Sequence, residues 1–236
     1  MKILISDSLS PRGVEVLQQA GYTADVKTKL PKEQLLEEIK TYDGIIVRSA
    51  TKITAEVIEA GSQLKIIGRA GTGLDNVDKE AATRRGIVVM NTPGGNTITT
   101  AEHSIALLVA MSRKIPQATA STKSGKWEKS KFMGTELYNK TLGLVGLGQI
   151  GSVVTKLAQG LSMNVIGHDP FLASERAKEM GIEAVDLAEL FRRSDFISVH
   201  TPLTNETRGI INAETIKQMK DGVMIVNCAR GGIINE

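Results

Sequence analysis

The sequence predicts an α/β protein of two doubly wound parallel-sheet, Rossmann-like domains with a cleft between them. Three observations predict it. Short β-type runs alternate with helix-type runs over the first 90 or so residues, a second alternation begins near residue 141, and a turn-rich segment followed by a helical stretch divides the two. A chain of 236 residues with 41% apolar content and a mean hydropathy of −0.06 has material for two ordinary cores and fits a soluble globular protein.

In the first series, strands are expected at residues 2–5, 22–26, 44–47, 64–67 and 88–90. Helices are expected at 11–20, 31–39, 54–60 and 77–85, several opened by Pro, Ser, Thr or Asp, which spare or cap the first unpaired amides of a helix. The turn formers Asn91-Thr92-Pro93-Gly94-Gly95-Asn96 end this layer and divide the chain into a substrate-binding domain, 1–96, and a dinucleotide-binding domain, 97–236. A single long helix over 99–121, apolar on nearly every face in its middle, serves as hinge and linker. Its most apolar stretch, 105–111, is far shorter than the ~20 residues that span a membrane and is expected in a protein interface. The second series has strands at 141–145, 164–167, 196–199 and 223–227 and a helix at 150–161. Four strands fall short of the about six in a full dinucleotide-binding domain, so this domain is expected to be incomplete.

Gly146-Leu147-Gly148-Gln149-Ile150-Gly151 stands between the 141–145 run and that helix. Gly146 permits the tight turn, Gly148 lets the backbone approach a pyrophosphate, and Gly151 lets the helix pack closely on its strand, so that phosphates rest on the helix N-terminus. The glycine pattern alone is weak, but strand, helix and an acid, Asp169, all fall where the fingerprint needs them. The Asp169 carboxylate suits ribose hydroxyls and repels a 2′-phosphate, and the first cation after it is Arg176, which favours NAD over NADP.

Ligands of open parallel sheets bind beyond the carboxyl ends of the strands, and three such ends deliver an arginine. Arg48-Ser49-Ala50-Thr51 follows the third strand, Gly68-Arg69-Ala70-Gly71-Thr72-Gly73 the fourth, and Asn227-Cys228-Ala229-Arg230-Gly231-Gly232 the last. Guanidinium groups bind carboxylates and phosphates through paired hydrogen bonds, and the Gly71–Gly73 turn adds backbone amides, so an acidic ligand is expected at Arg48 and Arg69. Arg230 is the candidate for the reacting end, where a fixed cation holds a carboxylate and polarises a carbonyl oxygen.

The remaining features argue for structure rather than chemistry. A formal net charge of +3 is too small to imply nucleic acid, and Lys123, Lys126, Lys129 and Lys131 around Trp127 suit an exposed arm touching a neighbouring subunit or an anionic ligand. The single cysteine, Cys228, and the lack of an apolar leader point to a reducing cytoplasm. His103, His168 and His200 are expected to be structural, while Thr201 touches the cofactor through its turn; no membrane partner and no metal are expected.

Val47 to Thr51, Gly68 to Asp78, Asn91-Thr92-Pro93, Gly146 to Gly151, His200-Thr201-Pro202-Leu203-Thr204 and Asn227 to Gly232 together resemble the D-2-hydroxyacid dehydrogenase family along the whole chain. Residues 125–128 and 131–137 resemble the branch of that family acting on 3-phosphoglycerate in serine biosynthesis. The resemblance implies NAD-dependent oxidation of the C2 hydroxyl of 3-phosphoglycerate to 3-phosphohydroxypyruvate. By it Arg48, Ser49, Arg69 and Gly71 bind the substrate's anions, and Thr72, Gln149 and Ile150 contact NAD. Asp169 then holds the ribose, Thr201, Cys228 and Ala229 line the nicotinamide side, and Arg230 is the catalytic arginine. The linker helix and the Trp127 segment would build a homodimer or homotetramer. The family's catalytic glutamate and histidine would lie beyond the point matching Glu236. A positioned acid/base contributes ~10²–10⁴-fold, so the present residues alone are expected to be nearly inactive. A glyoxylate or hydroxypyruvate reductase of the same family, and a non-catalytic NAD-responsive interaction module of the same fold, remain alternatives.

Overall fold

The computed structural model describes all 236 residues. Two compact units, Met1–Asn96 and Thr97–Glu236, are each built on their own parallel five-stranded sheet. The first unit runs β1 (Lys2–Ile5), α1 (Pro11–Gln19), β2 (Thr23–Val26), α2 (Lys32–Glu38), β3 (Gly44–Val47), α3 (Ala55–Ala60), β4 (Ile66–Arg69), α4 (Lys79–Arg84) and β5 (Val88–Asn91). Its strand order is β2-β1-β3-β4-β5. Parallel neighbours need crossovers, and the helices supply them while covering the sheet. Leu4, Ile45, Val47 and Ile67 of the central strands pack with Leu35, Ile39, Val57 and Ile58, all at most 4% exposed. Each such side chain contributes roughly 1.5–3 kcal/mol of burial. Local signals start the helices: Pro11 opens α1, and the Asp78 carboxylate accepts the Ala81 N–H at 2.9 Å at the head of α4.

The second unit runs α5 (Thr97–Ser112), α6 (Ile115–Lys123), β6 (Thr141–Val145), α7 (Gln149–Gly160), β7 (Asn164–His168), α8 (Ser174–Glu179), β8 (Glu183–Ala184), α9 (Leu187–Arg193), β9 (Phe196–Val199), α10 (Ala213–Ile216) and β10 (Met224–Asn227). The order is β10-β9-β6-β7-β8, that of a dinucleotide-binding sheet. Alternation along β6 feeds two cores. Leu142 and Leu144 pack with Leu108, Val154 and Ala158, and Val145 packs with Leu190, Phe191 and Ile197.

The structure corrects two expectations and adds detail to a third. The single linker helix is two helices, because Lys114 takes a left-handed conformation (φ 52) and Pro116, lacking an N–H, starts a new ladder rather than extending the old one. The second sheet has five strands instead of four, the extra one being two exposed residues, Glu183 and Ala184, with no apolar run to announce them. In the 105–111 stretch, Ile105, Leu108 and Met111 pack on the unit's own core, leaving Leu107 41% exposed. No helix is long and apolar enough to cross a membrane.

Strand order reverses between β1 and β3 in the first sheet and between β6 and β9 in the second. Those two points are where each sheet opens a crevice beyond its strand ends.

Candidate anion and dinucleotide sites

In the first unit Arg48 follows β3 and Arg69 ends β4, on neighbouring strands. With Ser49, Gly71, Thr72, Thr92, Gly95 and Asn96 they line a concavity of about 320 Å³. Neither arginine is ion-paired, and the Arg69 Nε is buried without a hydrogen-bond partner. A buried N–H donor left without an acceptor is costly, and an anion in this concavity would supply one.

The turn bearing Arg48 is clamped from both sides. The Asp7 carboxylate accepts the Arg48 N–H at 2.6 Å, the Thr51 N–H at 3.1 Å and the Thr51 hydroxyl at 2.8 Å. The Asn76 side-chain amide donates to the Arg48 carbonyl at 2.7 Å and the Thr51 carbonyl at 2.6 Å. Asn91 donates to the Thr72 carbonyl at 2.7 Å, and the Thr72 hydroxyl donates to Asn96 Oδ1 at 2.7 Å. Sequence reasoning missed Asp7, Asn76, Asn91 and Asn96, although an acid directly after the first strand was a signal available to it.

In the second unit Gly146 has φ 97, and a Cβ there would stand 2.8 Å from the His200 carbonyl oxygen. A Cβ at Gly151 would collide with the Gly146 carbonyl. Gly148 differs: its φ of −69 is open to any residue, and a Cβ would meet nothing within 4 Å. Protein packing therefore does not explain this glycine, whereas a ligand lying against the backbone does. No side chain caps the start of α7, so its first-turn amides are available to a pyrophosphate. Gln149 Oε1 accepts the Thr97 hydroxyl at 3.3 Å, and the Ile150 side chain packs against the core.

Asp169 follows β7, and its two oxygens accept the Leu147 N–H at 2.8 Å and the Phe171 N–H at 2.9 Å. A carboxylate has about four acceptor positions, so ribose hydroxyls still find room. At the end of β9, His200 Nε2 lies 2.9 Å from the Ser198 hydroxyl, while His200 Nδ1 and the Thr201 hydroxyl are buried with no partner. Burial holds the His200 imidazole well below its ordinary 6.5, at about 4, so it is neutral at physiological pH. Two orphaned polar atoms beside the glycine turn fit a crevice that a polar ligand completes.

At the end of β10, Asn227 ties the last turn by donating to the Arg230 carbonyl at 2.8 Å and accepting the Ala229 N–H at 3.0 Å. The Arg230 guanidinium donates to the Ala229 carbonyl at 2.8 Å. Cys228 packs on the core beneath α7 and Ala229 on the opposite one. Asn227 and Cys228 share a concavity of about 360 Å³ with His103 of α5. His168 Nδ1 sits 3.1 Å from the Val185 carbonyl.

The second unit is thus built as a dinucleotide-binding domain. Residues 105–236 match the D-isomer specific 2-hydroxyacid dehydrogenase NAD-binding domain, and the chain belongs to that family. It is 52% identical over 236 residues to a D-3-phosphoglycerate dehydrogenase of Archaeoglobus fulgidus, covering 100% of this chain and 45% of that protein. The chain thus spans about half the length of the curated relatives it matches. Among solved structures, the TT0316 protein of Thermus thermophilus superposes with a TM-score of 0.91 at 34% identity, over 100% of this chain and 76% of that one. The NAD⁺-bound 3-phosphoglycerate dehydrogenase of Entamoeba histolytica gives 0.82 at 39% identity, over 99% and 73%.

Proposed function

We propose that the chain carries the cofactor-binding and anion-binding parts of an NAD-dependent D-2-hydroxyacid dehydrogenase whose substrate is 3-phosphoglycerate. The observation that carries the reading is the open backbone at Gly148 below the uncapped start of α7, braced by Asp169. Bound NAD supplies the hydride acceptor at nicotinamide C4. The α7 amides hold its pyrophosphate, Asp169 accepts from its ribose, and Thr201, Cys228 and Ala229 border the reactive ring. Arg48, Ser49, Arg69 and the Gly71–Thr72 turn bind substrate anions. Arg230 holds the carboxylate beside the reacting carbon and steadies charge on the C2 oxygen as hydride leaves. The hydroxyl proton goes to a base other than His200, which burial keeps neutral and weakly basic.

A substrate with an anion at each end accounts for unpaired arginines on adjacent strands, and the name carried by the Archaeoglobus relative supports that choice. Trp127, Met133 and Tyr138, 84%, 77% and 65% exposed, mark the face through which we assign a homo-oligomer. The protein containing this chain, assayed at its natural length, should reduce NAD with 3-phosphoglycerate. Turnover of glyoxylate or hydroxypyruvate without that activity would move the assignment to a reductase of the same family, and NADH-independent behaviour would end it.

A further inference from the structure

We propose a second anion site in the first unit, for a phosphate monoester with a short hydrocarbon body, in the crevice where β1, β2 and β3 end. It does not rest on the dehydrogenase reading. In a sheet ordered β2-β1-β3-β4-β5 the reversal lies between β1 and β3, and that is where such sheets lodge a ligand. The arginine pocket is elsewhere, over the ends of β3, β4 and β5. A separate concavity of about 440 Å³ straddles the reversal itself, within the size range of small-molecule sites.

Its chemistry is that of an anion site with an apolar floor. Leu30, Leu35 and Val57 form the floor, and Lys29 and Lys52 stand at its edge without a carboxylate partner. Lys32, also in the lining, is held by Glu56 at 2.5 Å. The one acid present, Asp7, already accepts three hydrogen bonds from the 48–51 turn and is not waiting for the lysines. Lys29 is kept in the left-handed region at φ 60, a conformation that residues with a Cβ rarely adopt and that persists where the surroundings impose it. Ammonium groups on flexible stems act as point charges, which suits the rounded charge of a phosphate better than the planar fork of a carboxylate.

The two pockets share a wall. Arg48 and Ser49 face one, and Ala50, Thr51 and Lys52, next in sequence, face the other. Occupation of the lysine site therefore bears on the turn that presents Arg48, and by linkage the effect is reciprocal.

Butyl phosphate titrated into the chain, followed by backbone amide NMR, tests the site. Amides of residues 29, 30, 32 and 50–54 should shift in the parent and in an Arg48→Ala/Arg69→Ala variant. Lys29→Gln with Lys52→Gln should weaken binding about tenfold or more, as loss of two charged contacts to one anion implies. Lys29→Arg with Lys52→Arg should keep it, separating charge from fold. Shifts confined to residues 48–49 and 69–72, loss of the shifts at 29, 30 and 32 in the arginine variant, indifference to the glutamine changes, or no shifts at all would overturn the proposal.

Discussion

The Leu147 backbone N–H donates to Asp169 Oδ2 at 2.8 Å, so the acid at the end of β7 braces the glycine turn that leaves β6. One carboxylate thereby fixes the shape of the glycine turn. On the function proposed above it also accepts from the ribose of NAD, so removing it should disturb turn and binding together.

Asp169→Ala should weaken NADH binding at least about tenfold, because hydrogen bonds to a charged acceptor are worth roughly 1.5–3 kcal/mol each. NADPH, spared the repulsion, should lose less or gain. Calorimetry with both cofactors measures the ratio; an unchanged preference would take cofactor choice away from Asp169.

Gly148 and Gly151 should separate binding from folding. Ala at 151 must displace the Gly146 carbonyl, backbone against backbone, and should lower stability by more than about 1 kcal/mol. Ala at 148 enters open space with an ordinary φ, so unfolding should move by less than about 0.5 kcal/mol while NADH affinity falls. Urea unfolding beside NADH titration of the two variants decides it, and equal losses of stability would show that Gly148 serves the fold alone.

The parts of this molecule that were legible in the sequence are those with local signatures. Apolar runs such as Ile45 to Val47 and Leu142 to Val145 mark central strands, since burial on both faces demands continuous hydrophobicity. β8 lacked that signal because an edge strand of two exposed residues has no core to satisfy. The break after α5 was written in the polar Ser112-Arg113-Lys114 and in Pro116, but the helix-type residues before and after them read as one continuous helix. The acid Asp7 behind β1 was a signal left unread, whereas Asn76 was invisible for another reason: its partner Arg48 is 28 residues away, and only the fold brings the two together.

His200 should make stability depend on pH between 6.5 and 4. Burial lowers its folded pKa to about 4, so the unfolded chain binds the proton more tightly. Its contribution is complete above 6.5 and is lost as pH falls toward 4, by on the order of 3 kcal/mol at 1.36 kcal/mol per unit. Urea unfolding at pH 7.5 and 5.0 should show a decline that His200→Gln flattens. An imidazole NMR titration with a midpoint near 6.5 would refute the premise.

The arginine pocket should divide substrate affinity from turnover. Arg69→Ala removes a buried donor with no protein partner, so the fold loses little and the anion loses a charged contact; KM for 3-phosphoglycerate should rise about tenfold or more with NAD affinity unchanged. Asn76→Ala releases two carbonyls of the turn that carries Arg48 and should raise the same KM by a smaller factor, which Asn76→Gln does not restore because the added methylene misplaces the amide. Arg230→Ala, at the end of another sheet, should instead lower kcat and kcat/KM together, the pattern of a contact made chiefly as charge develops. Steady-state kinetics on the protein at its natural length separate the three, and a KM effect alone at Arg230 would reduce it from a catalytic group to a binding one.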